Sequence, residues 1–388
     1  MPFDFDTPID RRGTYSEKWD RYRGADVIPL WVADMDFPAP PALLRALRER
    51  IDHGIFGYTA VPEPLVESFC QHVLHDFGWE ISPDWLVFIP GLVCGLNLTC
   101  AAVGQPGDSV LTATPIYPPF LSAPKNMGRK VLPVPLARSG DRWQLDWPAL
   151  ARAVTPDTRL FLLCNPHNPV GRCFDEDELS AVADFCARHA LVVCSDEIHN
   201  ELILAPSKRH IPIASLHPEI ARRTITLMAP SKTYNIPGLG ASVAIISDVE
   251  LRTRFRRAMA GIVPHVNVLG LVAALAAYRD CRSWRDELIA YLRGNRDLVE
   301  REVADMPGLT VSPVEATYLS WIDARPLALK DPATFFAEAG VGLSDGRPFA
   351  GPGYLRLNFG CPRSLLTLAL ARMKTALSSA PRQQSQPT

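Results

Sequence analysis

The chain lacks a charge excess of either sign. Forty basic residues stand against 42 acidic ones, a net of −2. It therefore has neither the basic footprint that holds nucleic acid nor a polybasic surface for anionic lipid. It lacks long apolar runs. The longest, such as Leu271 to Tyr278, fall far short of the roughly 18 residues that a membrane span requires. It lacks a leader pattern: Met1 to Asp6 is acidic and Pro8 follows, so no secretory signal is expected. It has no internal repeat. Cysteine is present but unorganised. The nine cysteines never form CxxC, are odd in number and sit mostly in apolar runs. That pattern excludes a disulfide or zinc framework and reads as reduced, buried thiols of a cytoplasmic protein, with no metal site.

What is present is an ordinary globular composition, 47% hydrophobic and 21% charged, which excludes disorder, collagen and coiled coil for the whole. The 36 prolines cluster in PAPP, TPIYPPF and NPHNPVG and mark loops. Between them strand and helix patterns alternate. β-rich runs stand at 85–89, 109–113, 159–164, 191–195, 224–228 and 242–246, most of them apolar throughout, as parallel strands buried on both faces are. A helix starts near Pro40 and stops before Gly54, with proline at its start and glycine past its end. Another opens at Asp175, with Glu178 three residues on in a capping-box spacing. Further helices are expected at 249–260 and 283–304, and strands near 317–322 and 354–358. The expected fold is α/β: a large domain over 45–285 with a mainly parallel sheet flanked by helices. A smaller α/β domain takes 286–388, joined by the N-terminal segment 1–44. From Ser378 onward the chain reads as a frayed tail.

The residues after each expected strand form a set. Gly91, Leu92 and Val93 follow the first and open a helix. Tyr117 follows the second, Asn168 the third, Asp196 ends the fourth, and Ser231-Lys232 follow the fifth. Ligands of open α/β sheets sit beyond the carboxyl ends of strands. One site would then receive free backbone amides, an aromatic ring, an amide, a carboxylate and an amine. That set suits pyridoxal phosphate: an amine for a Schiff base, a carboxylate for the pyridine nitrogen, a stacking ring, and helix amides for the phosphate. Each residue alone has a plainer reading. Lys232 is a solvated lysine, Asp196 a cap for a following helix, Tyr117 packing, Asn168 an Asx turn, Gly91 a turn glycine. The order in which they occur carries the argument.

The stretches LWVADMDF (30–37), HGIFGY (53–58), TPIYPPF (114–120), CNPHNPVGR (164–172), SDEIH (195–199), APSKTYNIPGL (229–239) and YLRLNFGCPR (354–363) resemble fold-type-I pyridoxal-phosphate enzymes of the class I/II aminotransferase superfamily. More narrowly they resemble the MalY/PatB-type cysteine–sulfur β-lyases (cystathionine β-lyase). The resemblance implies that Lys232 is the Schiff-base lysine, Asp196 the partner of the pyridine nitrogen and Tyr117 the stacking ring. It places Asn168 beside the ring hydroxyl and Arg356 on the substrate α-carboxylate. It implies a homodimer in which Tyr58 reaches the phosphate of the neighbouring subunit. It implies cleavage of a Cβ–S bond to thiol, pyruvate and ammonia.

Two positions depart from common aminotransferase patterns. His199 stands where many have a tyrosine near the ring oxygen; its plainer reading is a helix-start histidine. Gly240 stands where many relatives have a phosphate-binding arginine. The amides of Leu92 and Val93, Ser231 and the partner's Tyr58 would then carry the phosphate. Two other functions share these residues: an aminotransferase, and a cofactor-binding regulatory protein without turnover.

Overall fold

The computed structural model describes residues 3–379. Its centre is a seven-stranded sheet. The strands are β1 (Leu86–Ile89), β2 (Ser109–Thr114), β3 (Lys130–Pro135), β4 (Thr158–Cys164), β5 (Val192–Asp196), β6 (Thr224–Met228) and β7 (Ser242–Ile245). Their order across the sheet is β1-β7-β6-β5-β4-β2-β3. β3, β2, β4, β5 and β6 pair in parallel. β7 runs antiparallel to both its neighbours. Its four residues are all buried, so its composition is that of a central strand whichever way it points. The α/β fold with a mainly parallel sheet is as expected. Apolar clusters fill both faces, one around Leu96, Phe120 and Phe255, the other around Phe161, Phe174 and Phe185.

Edge strand β3 is absent from the sequence reading. Its sequence KVLPVP carries two prolines and a largely solvent-facing pattern, both tolerated at a sheet edge but weak as strand signals. The helix Val268–Asp280 is also new. Its apolar run has no polar face and so little helical periodicity; the helix is buried against those at Pro41–Asp52 and Glu63–Phe77. Asn267 caps it by accepting from the Gly270 amide at 2.8 Å. The capping box at Asp175 and Glu178 is present as spaced.

A second sheet comprises β8 (Thr310–Val311), β9 (Leu319–Asp323), β10 (Ser344–Asp345) and β11 (Tyr354–Asn358), in the order β8-β9-β11-β10 and antiparallel throughout. The N-terminal segment seats on this part: Ile28–Pro29 pairs in parallel with Val341–Gly342, and Phe5, Leu30, Met35 and Phe37 share a cluster with Leu355, Leu366 and Leu370. The residue at which the sequence divides the domains, 285, lies inside the helix Arg282–Ala304, so no loose linker stands there. The last helix, Arg363–Ser379, includes Ser378 and Ser379, which correct the start of the expected tail. The Ser378 hydroxyl donates to the Lys374 carbonyl one turn back at 2.9 Å; the rest of the tail, 380–388, lies outside the described residues. Among the described residues no helix is long and apolar enough to cross a membrane.

Candidate active site

A cleft of about 370 Å³ opens at the carboxyl ends of β1, β2, β4, β5 and β6. Every site residue expected from the sequence lines it except Tyr58. Tyr58 is fully exposed, on an irregular loop with Ile55 and Phe56.

Gly91 turns β1 into the helix Leu92–Ala102 with φ 151° and ψ 154°, a conformation that side chains avoid. No side chain caps this helix, so the amides of Leu92 and Val93 face the cleft without partners, a ready place for an anion. After β2, the Tyr117 amide bonds the Asn168 carbonyl at 3.1 Å, which ties the two loops that carry the ring and the amide.

Asp196 ends β5 and is buried. One Oδ1 accepts from the Ile198 amide at 3.1 Å, and no cation touches it. Burial pushes its pKa up to about 7; the Ile198 amide opposes this, Glu197 adds to it, and Lys232 pulls the other way. No helix follows: 198–201 is a run of turns. Asp196 is therefore not a helix cap and His199 not a helix-start residue. His199 is buried, and its Nδ1 has no partner. Burial, then the charges of Lys232 and Arg356, hold its pKa well below the ordinary value, so the ring is neutral. The adjacent Glu197 is by contrast fully used, bonded by Ser195 Oγ at 2.7 Å and paired with His210 Nε2 at 2.8 Å. Of the two acids in SDEIH, Asp196 alone is free for a ligand.

Lys232 donates its Nζ to the Ala33 carbonyl at 2.7 Å. Desolvation lowers its pKa to about 8, with Arg356 adding repulsion and Asp34 and Asp196 opposing. Arg356, buried on β11, donates Nη1 to Asn168 Oδ1 and Nη2 to the Trp31 carbonyl, both at 3.0 Å. Its Nε has no partner, no carboxylate faces it, and burial lowers its pKa to about 10.

Gly240 adopts φ 56°, and a Cβ there would lie 2.9 Å from the Pro90 carbonyl oxygen. An arginine at that position would be strained and would require the Pro90 carbonyl to move. Among the described residues that line the cleft, Lys232 and Arg356 are the charged cations.

Two groups were not singled out from the sequence. The Ala33 carbonyl and Tyr318, whose hydroxyl donates to the same carbonyl at 2.9 Å, belong to the motif 30–37 and to the strand expected near 317–322. A backbone acceptor has no residue signature, and Tyr318 reads as one apolar residue of a strand.

These residues fit pyridoxal phosphate. Asp196 is buried without the cationic N–H that a protonated pyridine offers, and uncapped helix amides await an anion. The comparisons agree. The family model "Aminotransferase class I and II" matches residues 25–373, and the chain belongs to that family. It is 37% identical over 390 residues to the cystathionine beta-lyase PatB of Bacillus subtilis (strain 168), covering 96% of this chain and all of the relative. Among solved structures, OvoB is similar at 48% identity and a TM-score of 0.96, covering 98% of this chain and 100% of the other. Cystalysin of Treponema denticola, which contains pyridoxal 5'-phosphate, is similar at 33% identity and 0.94, covering 97% and 99%. Within its family, the chain is a pyridoxal-phosphate-dependent enzyme of the carbon–sulfur lyase type.

Proposed function

We propose that the chain removes the sulfur substituent from an S-substituted cysteine, cystathionine among them, and yields a thiol, pyruvate and ammonia. Three charged groups in one cleft without counter-charges in contact, Asp196, Lys232 and Arg356, support the cofactor and the amino-acid substrate, and the likeness to carbon–sulfur lyases favours this outcome over transamination. Arg356 presents paired donors to a planar α-carboxylate. Asp196 would hold the protonated pyridine nitrogen, Tyr117 would stack on the ring, and Asn168 would offer its amide to the ring hydroxyl. The amides of Leu92 and Val93, with Ser231, would take the phosphate in place of an arginine at Gly240. His199 would border the cofactor as a neutral ring.

Pyridoxal phosphate supplies the electron sink that makes the substrate Cα–H acidic. Lys232 is the amine that would hold the cofactor and, once free, act as the base. It then takes the Cα proton, for which an amine with a pKa near 8 retains a usable neutral fraction. The electron pair left at Cα forms the Cα–Cβ double bond as the thiolate departs with the C–S pair. The released aminoacrylate hydrolyses to pyruvate and ammonia.

The enzyme reads as a homodimer in which the partner's Tyr58 reaches the phosphate. The exposed trio Ile55, Phe56 and Tyr58 supports this. Nine free thiols support a reducing compartment, the cytoplasm.

The test is incubation with cystathionine, with and without 2-oxoglutarate. Thiol and pyruvate should appear in equal amounts over many turnovers without the oxo acid. A strict need for oxo acid, with glutamate formed and no thiol, would establish the aminotransferase instead. Cofactor binding with neither reaction would establish a regulatory protein. The same preparation should sediment as a dimer; a fully active monomer would rule out shared sites.

A further inference from the structure

Val32 and Ala33 line the cleft, and every carbonyl from Trp31 to Asp34 is bonded by a side chain. Asn358 Nδ2 donates to those of Val32 and Asp34, at 2.5 and 2.6 Å. The other two each take one charged and one neutral donor. Trp31 accepts from Arg356 Nη2 at 3.0 Å and from Ser344 Oγ at 2.6 Å. Ala33 accepts from Lys232 Nζ at 2.7 Å and from the Tyr318 hydroxyl at 2.9 Å. The charged donors are the two cations of the cleft, which must leave these carbonyls to meet cofactor and substrate. The neutral donors stay.

Tyr318 is built into its place. It is 1% exposed, and its ring stands edge-on to that of His199, with centroids 6.1 Å apart. Thr317 before it is buried and holds φ 73°, a left-handed conformation that a β-branched residue enters only under constraint. The constraint is visible: the Thr317 amide bonds the Leu202 carbonyl at 2.8 Å, and its Oγ1 accepts from the Leu319 amide at 3.1 Å. Burial, then the charge of Asp34, raises the Tyr318 pKa, so the phenol keeps its proton.

We infer that Tyr318 is a positioning residue for Lys232: it holds the Ala33 carbonyl in place as the acceptor on which the Nζ amine rests whenever that amine is not bound to the cofactor. The inference rests on the role given to Lys232 above. Tyr318 is not among the residues lining the cleft and acts through Ala33. Without the hydroxyl, the carbonyl loses its last side-chain donor each time Lys232 departs, and it turns to find another. The amine then has no fixed place to return to. Its condensation with the cofactor aldehyde, which releases one water, and its uptake of the Cα proton both slow.

The experiment sets two ligands against cofactor-free protein. Pyridoxal phosphate at saturation reports, by absorbance, the rate at which Lys232 condenses with it. Pyridoxamine phosphate carries an amine in place of the aldehyde, so it binds without the lysine and its Kd reports the intact site. Y318F should slow condensation by about tenfold, below the roughly hundredfold that an ångström of misplacement can cost. It should lower kcat for thiol release from cystathionine to a similar degree and leave the Kd of pyridoxamine phosphate unchanged. S344A, which strips the neutral donor from the Trp31 carbonyl instead, should leave condensation unchanged. Normal condensation in Y318F would overturn the role of Tyr318. So would a loss of pyridoxamine phosphate affinity in step with the rate, or equal slowing in S344A, since the hydroxyl would then serve the fold alone. Wild-type protein that condenses with the cofactor but releases no thiol would overturn the lyase reading, while the condensation rates would still decide the role of Tyr318.

Discussion

Two buried polar clusters flank the same short segment of chain. Lys232 enters the cleft, and Tyr234, two residues on, enters a cluster with Glu201, Asp76, His72 and Arg285. There Tyr234 donates to Glu201 at 2.9 Å. Arg285 bonds Glu201 at 2.8 Å and pairs with Asp76. His72 lies 3.5 Å from Asp76 and 3.7 Å from Glu201. The residue types are those of the cleft; the balance is not. Burial alone would raise the Asp76 pKa, but Arg285 and His72 outweigh it and the pKa is lowered. Asp196, with no such partner, is raised to about 7. Arg285 is likewise raised, its carboxylates overcoming desolvation, whereas Arg356 is lowered to about 10. His72, Asp76 and Glu201 lie close enough together to hold a metal ion, but Arg285 already supplies the positive charge. A satisfied cluster joins elements. An unsatisfied one awaits a ligand.

That contrast can be broken at either cluster. The largest effect is expected at the cleft. Asp196→Asn should cut kcat by roughly a hundredfold or more, within the range of a lost acid–base partner. Yet it should stabilise the cofactor-free protein. A carboxyl whose folded pKa lies above its unfolded 3.8 stabilises the fold at low pH and loses that contribution as pH rises. Relative to this variant, the cofactor-free wild type should therefore weaken between about pH 4 and pH 7. The difference should reach up to about 4 kcal/mol by pH 8 and vanish below pH 4, as read by urea unfolding. A destabilised variant at pH 8 would show that Asp196 is a structural residue. The smaller effect on turnover is expected at the satisfied cluster. Arg285→Met leaves Asp76 and Glu201 without their cation and should cost about 3–5 kcal/mol of stability, with kcat at 25 °C reduced far less than in Asp196→Asn. A silent Arg285→Met would erase the distinction between the clusters.

Much of the cleft was legible because strand ends are. A buried parallel strand announces itself by unbroken apolar residues, and the first polar residue after it stands at the site; Asp196 and Lys232 were found so. Arg356 needed the family motif, since an arginine on a strand does not declare which face it occupies. The second cluster was invisible for a similar reason. Asp76, Glu201 and Arg285 come from three distant segments, and pairing is decided by packing. Strand β7 kept its composition while reversing direction, because burial on both faces leaves no trace of polarity along the chain.

Gly240 limits what the phosphate end of the cleft can accept by substitution. Its left-handed backbone and the Pro90 carbonyl, 2.9 Å from where a Cβ would stand, make arginine at this position a two-step change. The loop at Pro90 must first withdraw, and that loop also sets Gly91, whose turn frees the helix amides. A single substitution toward arginine would thus disturb the anion site it was meant to reinforce.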